Sequence, residues 1–308
     1  MYWLISALFL GWAMGTNDAA NVFGNAVSSR MLTFRRATIL AAVFVILGAV
    51  LRGDNGIETL SSLSSQTIKT AALVSISAAI TVTLMSIIKM PISTSQSVVG
   101  AIIGHSLITG DLNTQVLTKV VLGWIGTPIG AFFLAIALYY IIRYFVEKYN
   151  YNFIYLDGWI RFGFIIIGCY GSYALGANNV ANAVGIYKGL IPQLNDYSLA
   201  LIGGISIALG ILTFSKPVML TVGKNLVEMN SITSLVAVLT CALTVHFYAI
   251  IGVPVSSSQA IIGAVLGMGM IKKMATLKWT LLMNIVLAWL ITPLLAATIS
   301  YIINYLFL

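Results

Sequence analysis

Two short polar strings interrupt long apolar stretches of this chain, and each occurs twice. Gly15-Thr-Asn-Asp-Ala-Ala-Asn-Val-Phe-Gly24 returns 161 residues later as Gly176-Ala-Asn-Asn-Val-Ala-Asn-Ala-Val-Gly185. Asn17 and Asn21 are four apart and share one helical face with Asp18 beside it, and Gly15 and Gly24 permit close backbone approach or local unwinding. The second copy keeps the outer amides as Asn178 and Asn182 and carries Asn179 in place of the acid. Clustered carbonyl and carboxylate oxygens suit a hard cation such as Na⁺, and a lone Asp can instead carry a proton. Small and amide residues also serve as interhelical glue, but a carboxylate near the middle of an apolar run costs about 2.5 to 3.5 kcal/mol and so calls for a partner, an ion or a wet cavity.

The second string has different chemistry. Pro91-Ile-Ser-Thr-Ser-Gln-Ser-Val-Val-Gly100 returns 163 residues later as Pro254-Val-Ser-Ser-Ser-Gln-Ala-Ile-Ile-Gly263. With a proline placed to open a helix, Ser93, Thr94 and Ser95, and their counterparts Ser256, Ser257 and Ser258, are expected in its first turn. Free N–H groups and the positive end of the helix dipole attract anions there. Gln96 and Gln259 follow as secondary candidates. Capping one helix needs one hydroxyl, so three in a row, twice, point to a tetrahedral oxyanion held without a fixed positive charge. A third pair, Trp124-Ile-Gly-Thr-Pro128 and Trp289-Leu-Ile-Thr-Pro293, is offset by 165 and reads as a helix kink rather than a ligand contact.

The elements that must carry these residues are set by composition. The chain has 308 residues, 59% of them hydrophobic and 8% charged, which excludes a water-soluble domain for most of its length. A hydrocarbon core about 30 Å thick needs roughly 20 apolar residues per helix. Runs of that kind fall at Tyr2–Ser28, Phe34–Leu51, Thr70–Ile88, Pro91–Thr109 and Val116–Ile142, then at Gly158–Tyr187, Ser198–Phe214, Ser231–Ile251, Pro254–Ile271 and Trp279–Phe307. The first run has no basic residue before its apolar stretch and is expected to be a retained helix rather than a cleaved signal. If all ten runs cross and the N-terminus lies outside, one face collects Arg30, Arg35, Arg36, Lys89, Arg143, Lys148, Arg161, Lys216, Lys224, Lys272, Lys273 and Lys278. The other keeps Arg52, Lys69, Lys119 and Lys188, and the positive-inside rule then places both termini outside the cytoplasm. The net charge of +8 is thus a topology signal, and no basic cluster interleaved with aromatics marks a nucleic-acid surface.

Five runs per half is an odd number, so the second half must be upside down relative to the first. The expected fold is an all-α polytopic membrane protein of two inverted-topology repeats of about five transmembrane segments each, with discontinuous helices at the midplane. Residues 1–145 form the first repeat, 146–157 a cytoplasmic linker, and 158–308 the second repeat. His105 and His246 lack a repeat partner that is also His, and Cys169 and Cys241 lie inside apolar runs, so all four read as packing or local hydrogen-bonding residues. The chain lacks a metal-binding motif and a duplicated base beside its serines, which leaves an intramembrane enzyme and a channel as the lesser readings beside a secondary transporter.

The two strings, in this order and across nearly the whole chain, resemble those of the inorganic phosphate transporter family, sodium- or proton-coupled phosphate symporters of the cell membrane. The resemblance implies that Asp18, Thr94, Ser95, Ser257 and Ser258, with Asn179, surround phosphate. It further implies that Asn17, Asp18, Asn21, Asn178 and Asn182 help hold the coupling cations, Na⁺ or H⁺, with no cofactor and with a homodimer as an open expectation. Sulfate, of the same shape and charge, is the rival substrate. Two positions depart from the family pattern: Asn179 stands where a second Asp is usual, and Gln96 and Gln259 stand where His is frequent.

Overall fold

The computed structural model describes residues 2–87, 92–148, 153–222, 229–271 and 279–307. Pro91, Lys89, Lys224, Lys272, Lys273 and Lys278 lie outside them. Twelve α-helices occupy the described residues, six in each half: α1 (Leu4–Ser28), α2 (Phe34–Arg52), α3 (Asp54–Ser61), α4 (Ile68–Ile87), α5 (Thr94–Thr109), α6 (Thr114–Lys148), then α7 (Phe153–Val184), α8 (Asp196–Phe214), α9 (Lys216–Val222), α10 (Ser231–Ile250), α11 (Ser257–Ile271) and α12 (Trp279–Phe307). Ten of these coincide with the ten apolar runs. The two additional ones, α3 and α9, are 8 and 7 residues long, too short to appear as hydrophobic runs. Among the described residues seven helices are long and apolar enough to cross a membrane: α2, α4, α6, α7, α8, α10 and α12. Helix α6 runs to Lys148 and α7 begins at Phe153, so of the expected linker only residues 149–152 fall outside the described helices.

The helices pack in mirrored pairs. Where α1 packs on α8, α7 packs on α2; α1 also meets α4 and α9, as α7 meets α10 and α3; and α5 lies on α12 as α11 lies on α6. The sense of the relation is read from α1 against α7. Ser6 bonds Tyr187 in the 3-10 turn that follows α7, Asp18 meets Asn179, Val22 faces Gly171 and Phe23 faces Gly168. Residue numbers rise along one helix as they fall along the other. Two sequence-equivalent helices are therefore antiparallel, and the two repeats are inverted.

Glycine sets how closely the repeats approach. A Cβ on Gly100 of α5 would stand 2.4 Å from the carbonyl oxygen of Pro293, and one on Gly263 of α11 would stand 2.3 Å from that of Pro128. Both contacts are impossible for any other residue without moving a helix. The prolines lie inside α12 and α6. Gly15 and Gly176 make the same kind of approach to the carbonyls of Ile207 and Val45. Helix α1 is continuous through Gly15 and Gly24, so of the two roles expected for these glycines only close approach is realised, and only Gly15 comes very near another backbone.

The discontinuities fall elsewhere. Helices α5 and α11 have 16 and 15 residues, so at 1.5 Å per residue each is only about 22–24 Å long, short of a bilayer core. Non-helical chain at Ile92–Ser93 and Val253–Ser256 leads into them. The prolines do not open these helices as expected: α5 starts at Thr94, three residues past Pro91, and α11 at Ser257, three past Pro254. A helix start needs a side-chain acceptor for its free N–H groups. Ser93 and Ser256 provide it, taking bonds from the amides of Gln96 and Gln259 at 3.3 Å each.

Gly263→Val should displace α11 from α6 and lower the unfolding temperature of the purified protein by several degrees, as overpacking typically costs about 1–3 kcal/mol. Gly130→Val, where nothing lies within 4 Å of the added carbon, should melt like the parent in the same thermal-shift experiment.

Candidate functional site

Among the described residues Asp18 is the one Asp, Glu, Lys or Arg that is buried, at 4% exposed. Its carboxylate takes hydrogen bonds from three other helices: Asn179 Nδ2 of α7 at 2.6 Å, Ser257 Oγ of α11 at 3.2 Å and Thr94 Oγ1 of α5 at 3.4 Å. Thr94 and Ser257 are equivalent positions in the two repeats, each the first residue of its helix. The positive ends of two helix dipoles thus meet at one carboxylate, an arrangement that favours negative charge at that point.

The helix starts also hold one another. Ser95 Oγ donates to the Val255 carbonyl at 2.7 Å, and its equivalent Ser258 Oγ donates to the Ile92 carbonyl at 2.8 Å. Asn21 Nδ2 reaches Ser257 at 3.0 Å, and its equivalent Asn182 Nδ2 reaches Ser95 at 2.9 Å. Each amide therefore binds the helix start of the opposite repeat. Asn178 pairs with Val255 as a second peptide would, giving Nδ2 to its carbonyl at 2.8 Å and taking its N–H on Oδ1 at 3.0 Å.

Asp18, Asn21, Thr94, Ser95, Asn178, Asn179, Asn182 and Ser257 form one continuous network in this way, Ser95 joining through the Val255 carbonyl it shares with Asn178. Ser93 stands outside it as a cap, and so do Ser256, which caps α11, and Ser258, which bonds Ser256 at 2.7 Å and the Ile92 carbonyl. Asn17 is turned away, donating to Ser86 of α4 at 2.6 Å. Among the described residues of the two repeated strings, three carbonyl oxygens, Asn182 Oδ1, Gln96 Oε1 and Gln259 Oε1, are buried without a donor. An unmet buried acceptor costs about 1–3 kcal/mol, and a cation is one way to remove that cost.

Reading by residue type did not single out Trp124, whose indole Nε1 donates to the Pro254 carbonyl at 3.3 Å, or Ser86. The Trp-x-x-Thr-Pro repeat carried the signal for the first, since a kink requires Pro128 and does not require Trp. Ser86 has no counterpart in the other repeat and gave no signal. His105 and His246 make local bonds, to Asn304 at 3.1 Å and to the Tyr170 hydroxyl at 2.7 Å, and Cys169 and Cys241 are free thiols.

Inverted repeats, with broken helices whose starts converge on a buried polar pocket, are a recurring plan of membrane transport proteins. Comparison with known proteins gives the family. The model of the phosphate transporter family matches residues 14–300, and the chain belongs to that family. Its relatives include a provisionally named phosphate permease of Methanocaldococcus jannaschii, 30% identical over 98% of this chain and 95% of that protein. Another provisionally named permease, from Pyrococcus furiosus, is 26% identical over 96% and 92% of the two chains. A solved structure, named the sodium-dependent phosphate transporter, superposes with a TM-score of 0.86 at 22% identity over 99% of each chain, which establishes the shared fold. With its apolar helices, family membership makes this a multi-pass membrane protein.

Replacing Asn179 by Leu removes the shortest bond to Asp18 and leaves the carboxylate partly unmet. The variant should lose about 1–3 kcal/mol of stability, read as a lower unfolding temperature in detergent, and an unchanged midpoint would show that this bond does not support the fold.

Proposed function

We propose that the protein takes up inorganic phosphate across the plasma membrane by symport with Na⁺ and alternating access, residues 1–145 and 158–308 working as inverted partners. The observation that carries this reading is the convergence of two hydroxyl-bearing helix starts, one from each repeat, on Asp18. Thr94, Ser95, Ser257 and Ser258 offer hydroxyls that can turn from their present partners to phosphate oxygens, and the first-turn amides of α5 and α11 supply further positive potential. No Lys or Arg is needed, and an anion held by dipoles and hydroxyls is released more readily than one held by a fixed charge.

Asp18 separates phosphate from sulfate. A hydrogen phosphate can donate its O–H to the carboxylate, with Asn179 steadying the acceptor, whereas sulfate has no proton to donate and meets only repulsion. Inward movement of a divalent anion opposes a negative-inside potential by about 2.3 kcal/mol per charge per 100 mV. Cotransported cations offset this. The unmet oxygens of Asn182, Gln96 and Gln259, with Asn21 and Asp18, are ligands of the oxygen type that Na⁺ takes, and the sodium dependence named for the structural neighbour points to the same ion. In this reading both termini lie outside the cytoplasm, the orientation that leaves most basic residues on the cytoplasmic face.

In proteoliposomes an inward Na⁺ gradient should drive phosphate accumulation, and Asp18→Asn should lower the initial rate by about tenfold or more, the loss of one charged hydrogen-bonding partner. Parent-like uptake by that variant would remove Asp18 from the site. Uptake indifferent to both a Na⁺ and a proton gradient would refute coupling.

A further inference from the structure

Helix α3 belongs to the first repeat by sequence and to the second by packing. It lies chiefly on α7, on the 3-10 turn Gly185–Tyr187 that follows α7, and on α8 and α10. Ile57 and Leu60 are its buried large side chains. The surface they cover belongs to the second copy of the first string. Asn178, Ala181 and Asn182 share one face of α7, and Gly185 continues it. A Cβ on Gly56 would stand 2.8 Å from that of Ala181, and one on Gly185 would stand 3.0 Å from that of Leu60. At the start of α3, Asn55 Nδ2 donates to the Ile250 carbonyl at 2.8 Å, at the end of α10. The helix thus covers both the second-repeat wall of the pocket and the turn that leads towards α11.

One side chain straps it down. Lys188, the first residue past the 3-10 turn, bonds Glu58 Oε2 of α3 and reaches Asp196 Oδ2 of α8 at 3.0 Å. Among the described residues these are the ion pairs that join separate elements, since Arg143 with Glu147 and Arg161 with Asp157 each lie within one helix. The other repeat has the lid without the strap. Helix α9 corresponds to α3 at an offset of 162, as α8 does to α2, and it lies on α1 with Met219 against Gly24 as Ile57 lies against Gly185. The strap positions there fall on apolar residues: Val27 for Lys188, Phe34 for Asp196 and Leu220 for Glu58. Lys216 of α9 stands over the Phe34 ring instead, 5.8 Å from its centroid.

We propose that α3 is a lid over the second-repeat wall of the pocket and that Lys188, held between Glu58 and Asp196, is its strap. Access on this side, the outer one in the orientation proposed above, is then resisted by an ion pair that the opposite side lacks. Glu58 and Asp196 are 67% and 46% exposed, so the strap lets go without leaving a charge buried. An exposed pair shifts an equilibrium only a few-fold, which suits a closure that has to open in every cycle. The strap rests on the alternating-access reading above and adds to it the element that closes one side.

The test uses the full chain with Cys169→Ser and Cys241→Ala and reads the rate at which a water-soluble maleimide labels one new cysteine. Leu60→Cys lies beneath α3 and Met219→Cys beneath α9, at positions 1% and 0% exposed. Lys188→Met should raise labelling of Leu60→Cys roughly fivefold and Glu58→Gln roughly twofold, as expected for two exposed pairs and for one. The two changes together should equal Lys188→Met, because Glu58 acts through Lys188. Labelling of Met219→Cys should not rise. No change at Leu60→Cys, effects that simply add, or a rise at both cysteines would overturn the strap, because general loosening of the fold would behave so. In the parent, Na⁺ with phosphate should change the labelling rate of Leu60→Cys. A protein that takes up phosphate while that rate stays fixed would overturn the lid and leave the transport reading intact. A parent that takes up no phosphate would count against the function, with the labelling still deciding the strap.

Discussion

A carboxylate removed from water and placed between apolar helices must be met by donors at once, and Asp18 is met by three, each from a different helix. That requirement organises the centre of the molecule. Helices α1 and α7 must run side by side for Asn179 to reach it, and α5 and α11 must begin there rather than at a membrane surface for Thr94 and Ser257 to do so. The non-helical chain at Ile92–Ser93 and Val253–Ser256 follows, because a helix that begins halfway through a bilayer needs non-helical chain to lead into it. Such chain is tolerated at that depth only where protein satisfies its backbone, and Ser95, Ser258 and Asn178 supply those bonds.

Inversion of the repeats makes these local contacts reciprocal between the two halves. Each side chain that crosses the centre binds the opposite repeat, so neither helix start is complete without the other half. Rigid contacts flank this centre, with Gly100 on Pro293 and Gly263 on Pro128 fixing α5 to α12 and α11 to α6 as units. Hydrogen bonds between hydroxyls and amides join the units to one another, and such bonds can exchange partners at little cost. Packing that cannot yield, placed beside bonds that can, fits the alternating access proposed above.

Much of this was legible in the residues. The two strings and their repetition located Asp18, Asn179 and the hydroxyl triplets, and apolar run length located ten helices. The short helices α3 and α9 escaped because seven or eight residues bury too little to leave a hydrophobic signature. Helix starts were misplaced by three residues because proline was read as the opening residue, whereas Ser93 and Ser256 hold the capping bonds. Division of labour within each triplet was not visible either. Only coordinates separate the capping serine from the one facing Asp18 and the one that bonds the opposite segment, since all are the same chemistry one residue apart. Asn17 and Asn178 illustrate the limit most clearly: identical in type and repeat position, they have different partners.

The central claim is that one pocket, built around Asp18 by both repeats, holds the anion and its coupling cation together. Calorimetry on the purified protein tests this by titrating phosphate at low and at saturating Na⁺, and Na⁺ with and without phosphate. Shared occupancy predicts that each ligand tightens the other by the same factor, of order 5 to 150, since binding free energies are reciprocally linked. Phosphate affinity that does not change with Na⁺ would place the two ligands in separate sites and contradict the account.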